Sequence, residues 1–182
     1  MSVNEKQTIW NISNGLSILR ILMVIPASYY LLIGTSSSHM IAFILIVIGA
    51  ATDFLDGYFA RKYSQVTDFG RIIDPLADKV AIGVLVVILL IRSLLPLWFV
   101  LSILIRDIII FSGGMYVQKS KGIVLQSNWL GKWTAGVLAL LVGITVLNMD
   151  SLLQVKQIFI YGSTVMIILS FASYAKRFMQ LR

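Results

Sequence analysis

From end to end the chain alternates long stretches almost free of charge with short polar breaks. Set against a bilayer that needs roughly 20 helical residues per crossing, the apolar stretches predict six transmembrane helices, at 14–34, 39–61, 73–92, 95–118, 129–148 and 156–175. Turn chemistry marks the breaks between them: Gly34-Thr-Ser-Ser-Ser, Lys62-Tyr-Ser-Gln-Val-Thr, Arg92-Ser-Leu-Leu-Pro96, Lys119-Ser-Lys121-Gly122 and Asn148-Met-Asp150-Ser151. The connection at 92–96 is short, which makes the third and fourth helices antiparallel neighbours. Ahead of the first span, residues 3–12 set Val3, Ile9 and Trp10 among polar groups, the pattern of a short interfacial helix with an aromatic anchor. No polar stretch is long enough to form a soluble domain. The expectation is an all-α integral membrane protein with a single domain over residues 1–182.

Composition agrees: of 182 residues, 58% are hydrophobic and 13% charged, and the mean hydropathy is +0.90. Cysteine is absent, which excludes disulfides and thiolate metal sites. The lone His39 follows Gly34-Thr-Ser-Ser-Ser and reads as a solvated loop residue. A net charge of +7 would suit nucleic acid in a soluble chain. In a membrane chain it marks cytoplasmic loops and contacts to anionic membrane lipid, and no nucleic-acid partner is expected. One side of the predicted topology collects Lys6, Arg61, Lys62, Arg71, Lys119, Lys121, Lys132, Lys176, Arg177 and Arg182; the other holds Arg92 and Lys156. Both termini, and the ends of spans two and three that meet there, should therefore face the cytoplasm from a multi-pass inner or plasma membrane. The aromatics Trp10, Trp98, Trp129 and Trp133 fall at the predicted membrane faces, and Gly113, Gly114, Gly136 and Gly143 are expected to permit close helix packing.

Against that apolar background, five of the eight acidic residues lie between Asp53 and Asp78. On a helix Asp53, Asp56 and Gly57 share one face, with Ala60 a turn further on. Asp74 and Asp78 stack in the same way on the next helix, with Pro75 tolerated in its first turn. Two helices then offer two carboxylates each. Four such charges in a small apolar space must be protonated or neutralised by cations. Oxygen-only ligands point to hard divalent ions, Mg²⁺ or Mn²⁺, rather than zinc. A carboxylate site for two metals at a membrane surface suits displacement at phosphorus.

The same residues carry a resemblance. Asp53-x-x-Asp56-Gly57-x-x-Ala60-Arg61, eight residues, then Gly70-x-x-x-Asp74-x-x-x-Asp78 matches in full the motif of the CDP-alcohol phosphatidyltransferases. Asn14-Gly-Leu-Ser-Ile-Leu-Arg20 is similar to that family's entry into its first helix, with Ser13 where proline is usual. Asp74-Pro75-Leu-Ala-Asp78-Lys79 and Asn128-Trp129-Leu130-Gly131-Lys132-Trp133 look most like the branch whose acceptor is glycerol 3-phosphate. That branch usually follows its Gly-Lys with Lys-Thr and then glutamine, whereas this chain reads Gly131-Lys132-Trp-Thr-Ala-Gly-Val-Leu138.

The resemblance implies transfer of the phosphatidyl group of CDP-diacylglycerol to an alcohol, with release of CMP. It implies that Asp53, Asp56, Asp74 and Asp78 hold two divalent ions, and that Asp78 is also the general base for the acceptor hydroxyl. Asp56, Gly57, Ala60, Arg61 and Gly70 would contact the CDP moiety. A dianionic acceptor such as glycerol 3-phosphate needs basic partners, for which Arg106 inside span four and Lys132 one turn into span five are the candidates. Arg106 could instead serve only an internal ion pair with Asp107, and Lys132 could be a snorkelling residue. A homodimer is also implied. Two other readings stand beside this one. The first is the same chemistry on phosphatidylglycerol, giving cardiolipin, or on an inositol or serine headgroup. The second, of a different class, is a small cation transporter whose aspartates bind the transported ion.

Overall fold

The computed structural model describes the backbone of residues 12–62, 70–122 and 129–180; within these stretches the side chains of 12–18, 20–21, 53–62, 70–78, 121 and 180 are outside the description. The interfacial helix expected at 3–12 falls almost wholly outside the described residues. Everything described is helical or turn, with no strand among the described residues. The helices are α1 (Ile12–Ile33), α2 (Ser36–Lys62), α3 (Gly70–Ile91), α4 (Leu97–Lys121), α5 (Trp129–Leu147) and α6 (Leu153–Gln180), with a 3-10 turn at Asp150–Leu152 before α6. By length and composition, three of the described segments can cross a membrane: Leu97–Ser120, Trp129–Leu147 and Asp150–Met179. Shorter apolar stretches occupy Leu22–Ile33, Ser36–Thr52 and Lys79–Ile91. The chain is a membrane protein. It divides into two compact units, Met1–Ile88 and Leu89–Arg182.

In the first unit α1 and α2 form a tight hairpin. Gly34 takes φ 73°, the left-handed conformation that lets α1 stop. Thr35 and Ser38 then cap α2 reciprocally: the Thr35 N–H donates to Ser38 Oγ at 2.8 Å and the Ser38 N–H to Thr35 Oγ1 at 3.2 Å. The capped start brings His39 into the first turn of α2, where it is 2% exposed. His39 is therefore a buried helical residue, not the solvated loop histidine expected. A two-residue turn leaves no loop for it to occupy. Small side chains complete the packing, with Ala27 and Ala42 fully buried beside Leu31.

In the second unit α4 and α5 each pack on α6. Lys156 reaches the Leu94 carbonyl, Arg106 reaches Ser170, and Tyr116 meets Phe178 with ring centroids 6.3 Å apart. These partners are 62 to 64 residues apart throughout, so α4 and α6 run parallel in a constant register. On α5, Thr134 Oγ1 approaches the Met166 carbonyl of α6 at 3.4 Å. The buried stripe of α5 is Gly131, Thr134, Leu138, Leu141, Val142, Thr145 and Val146, a helical spacing. On α6, Ile160, Ser163, Ile167 and Ser170 are buried at a helical spacing too. Hydroxyls at these positions mostly bond back into their own helix, Thr134 to Leu130 O and Thr145 to Leu141 O, both at 2.7 Å. Small polar residues can thus pack tightly without leaving an unsatisfied group in an apolar setting. The opposite faces expose Leu101, Ile105, Ile108, Leu140, Ile158 and Ile168, as lipid-facing surfaces do.

Two expectations about small residues and turns need correction. A methyl added at Gly113, Gly114 or Gly136 would meet nothing within 4 Å, so these glycines are not points of close helix approach. On α5 the buried small residues are Gly131, Thr134 and Thr145 instead. And α3 begins at Gly70, three residues ahead of the span read from the sequence, so Pro75 stands in its second turn.

Candidate functional site

α2 is unbroken from Ser36 to Lys62, so Asp53, Asp56, Gly57, Ala60 and Arg61 all lie on its final three turns. Gly70 opens α3, and Asp74 and Asp78 follow on the same continuous helix. The helical periodicity assumed for both aspartate pairs is thus the observed backbone. How the four carboxylates are disposed toward one another lies outside the described side chains. Their chemistry, oxygen donors with no nitrogen or sulfur, fits a hard divalent cation. Among the described side chains no other group of three or more His, Asp or Glu residues could hold a metal ion.

Arg106 is described fully. It lies midway along α4 with 8% of its surface exposed. Its Nη1 donates to Asp107 Oδ1 at 2.7 Å and its Nη2 to Ser170 Oγ on α6 at 3.0 Å. Nε is buried and has no hydrogen-bond partner among the described residues. The ion pair with Asp107 weighed in the sequence is therefore real, but it occupies only one edge of the guanidinium. An unpartnered buried donor in an apolar helix bundle costs free energy, so the Nε edge is suited to an acceptor that arrives with a ligand. Ser170 carried no signal in the sequence. It looks like any small residue of a packed helix, and only the 64-residue contact across the unit reveals it.

Lys132 is exposed on α5. It lies two residues before Thr134, whose hydroxyl faces Met166, and Ser170 lies one turn past Met166. Because α5 runs antiparallel to α6, Lys132 and the Arg106 guanidinium stand within about 3 Å of the same level at ~1.5 Å of rise per residue. They project differently, since Thr134 faces α6 and Lys132 is more than half a turn round the helix from it. Both candidates for an acceptor phosphate thus share a depth, while only Arg106 is buried.

A model of the CDP-alcohol phosphatidyltransferase family matches residues 10–169, and the chain belongs to that family. The family generally uses a divalent metal. Among similar proteins, the CDP-diacylglycerol–glycerol-3-phosphate 3-phosphatidyltransferase of Bacillus subtilis strain 168 is 40% identical over 95 residues, covering 52% of this chain and 49% of that protein. The one from Mycoplasma genitalium is 30% identical over 139 residues, covering 67% and 58%. A probable phosphatidylglycerophosphate synthase of Mycobacterium tuberculosis H37Rv is 30% identical over 163 residues, covering 86% of this chain and 76% of that protein. The match spans about half the length of the first of these relatives. Family membership leaves the transporter reading without support.

Proposed function

We propose that the chain transfers the phosphatidyl group of CDP-diacylglycerol to glycerol 3-phosphate, giving phosphatidylglycerophosphate and CMP. The observation that carries this is the complete motif, Asp53 to Asp78, on the helices α2 and α3 within the family match. The names of the relatives support glycerol 3-phosphate as the acceptor.

In this reading Asp53, Asp56, Asp74 and Asp78 hold two divalent ions, Mg²⁺ or Mn²⁺, whose chemistry when bound is to neutralise the diphosphate and the departing CMP. Asp78 takes the proton of the acceptor hydroxyl as its oxygen forms the new bond to the β-phosphorus of CDP-diacylglycerol. The bond from that phosphorus to the bridging oxygen breaks, and CMP leaves with the electron pair. Gly57, Ala60 and Gly70 carry little or no side chain and admit the nucleotide close to the helix, alongside Asp56 and Arg61. Arg106 and Lys132 bind the acceptor phosphate, Arg106 through the edge that includes Nε.

The same reading makes the whole chain, 1–182, one membrane domain with six crossings. Both termini and the acidic cluster face the cytoplasm, and the protein works as a homodimer. Support for the six crossings comes from the six helices at the positions expected, and support for the orientation from the uneven lysine and arginine distribution.

The test is incubation of the purified full chain with CDP-diacylglycerol, Mg²⁺ and a panel of acceptors. The expected result is chelator-sensitive CMP release with glycerol 3-phosphate and one phosphatidylglycerophosphate formed per CMP. Release only with phosphatidylglycerol, inositol or serine would assign the acceptor differently.

A further inference from the structure

A cavity of about 600 Å³ opens within the second unit, where the turn between α3 and α4 meets the first three turns of α6. Its wall includes Ser93, Leu94, Trp98, Lys156, Gln157 and Tyr161. It lies at the other end of α3 from Asp74 and Asp78, so it is separate from the residues assigned to phosphatidyl transfer.

Lys156 is the feature that needs an explanation. It is half-buried, and its Nζ donates to the Leu94 carbonyl at 3.4 Å, a long bond. Among the described residues it has no other partner and no carboxylate within ion-pair distance. An ammonium carries three donors, so two remain for a ligand. The turn is built to hold it there. Ser93 adopts φ 56°, unfavourable for a residue with a side chain, and its N–H bonds Leu90 O while those of Leu94 and Leu95 both reach Leu89 O. In this turn the Leu94 carbonyl accepts from Lys156.

The surroundings say which anion fits. Trp98 in the first turn of α4 and Tyr161 in the third turn of α6 are 49% and 68% exposed, amphipathic aromatics near one end of two parallel apolar helices, as at the boundary between headgroups and acyl chains. Neither α4 nor α6 has an acidic residue in its first turn to compete for the lysine, and α4 has no side-chain cap on its N-terminal N–H groups. The size of the cavity is that of a small-ligand pocket, and its exposed apolar rim would suit glycerol ester and acyl carbons. We propose that this cavity holds the phosphate headgroup of an anionic phospholipid from the surrounding bilayer, with Lys156 as its charge partner.

The test uses the full chain purified in a neutral detergent and titrated with phosphatidic acid or with phosphatidylcholine, bound lipid being read by native mass spectrometry. Wild type should retain phosphatidic acid in preference to phosphatidylcholine. Lys156→Gln should lower that retention about fivefold, the scale of one basic residue acting on an anionic headgroup, while Lys156→Arg keeps it. Lys176→Gln, an exposed basic residue elsewhere, should leave it unchanged. Equal retention of the two lipids by wild type would overturn the proposal without any variant. So would a well-folded Lys156→Gln protein that binds phosphatidic acid as wild type does, or complete competition by inorganic phosphate, which would make this a site for a free anion.

Discussion

Arg106 on α4 and Ser170 on α6 are joined by a hydrogen bond of 3.0 Å between two buried side chains, and the serine is fully enclosed. The bond ties a charged group in an apolar helix to the neighbouring helix through Nη2, while Nε beside it stays buried and without a partner among the described residues. If Arg106 binds the acceptor phosphate, Ser170 is a positioning residue for it. Ser170→Ala should raise KM for glycerol 3-phosphate about tenfold to 150-fold, the range for a hydrogen bond to a charged group, with KM for CDP-diacylglycerol unchanged. Ser170→Thr should restore most of the loss. Steady-state kinetics with each substrate varied in turn checks both; a parallel rise in both KM values would mark a merely structural role.

Arg106 itself should not be replaceable by lysine. A lysine ammonium is a point charge and cannot serve Asp107, Ser170 and a third acceptor with one planar fork. Arg106→Lys is expected to lower kcat/KM for glycerol 3-phosphate by about tenfold or more. Arg106→Gln should lower it further, toward the range for truncating a buried charge, about 30-fold to several thousandfold. Binding of CDP-diacylglycerol to either variant, measured by calorimetry, should match wild type.

Asp78→Asn should separate proton transfer from substrate binding. The amide retains an oxygen for the metal but cannot accept the proton, so kcat should fall by about a hundredfold to ten-thousandfold. Each Asp→Asn change, at Asp53, Asp56 or Asp78, removes one negative charge from the metal site and should raise the Mn²⁺ requirement; only Asp78→Asn should keep its loss of kcat when Mn²⁺ is saturating. Titrating activity against Mn²⁺ for all three variants distinguishes the two effects.

Thr35 holds the α1–α2 hairpin through the reciprocal cap with Ser38. Thr35→Ala should destabilise the protein by about 1 kcal/mol, read as a lower melting temperature in detergent. By contrast Gly113→Ala and Gly136→Ala, where a methyl meets open space, should be neutral or slightly stabilising, since alanine is favoured over glycine in a helix interior by up to about 1 kcal/mol. A marked loss of stability in either alanine variant would mean that a second chain packs on that face.

The helices were legible in the sequence because the bilayer demands a run of apolar residues of known length, and charge punctuates such runs sharply. Their ends were less so. His39 was misplaced because Gly34 and Thr35 alone suffice to turn the chain, a fact of local geometry that a string of five small polar residues conceals. The aspartate pairs were legible because their chemistry repeats at helical spacing on adjacent helices. Arg106 stood out as a charge in an apolar run, but its partner Ser170 is one small residue among many on α6. Gly113, Gly114 and Gly136 failed as packing signals for the complementary reason: a small residue permits a close approach without requiring one, whereas Gly131 and Thr134 on α5 and Ser163 on α6 are buried.

The most direct test of phosphatidyl transfer to glycerol 3-phosphate is release of CMP from CDP-diacylglycerol by the purified full chain, with and without glycerol 3-phosphate and with and without a chelator. The account predicts CMP formation that requires the acceptor, stops with chelator and falls by about a hundredfold or more in Asp78→Asn. CMP release that continues in chelator, or that survives unchanged in Asp78→Asn, would contradict it.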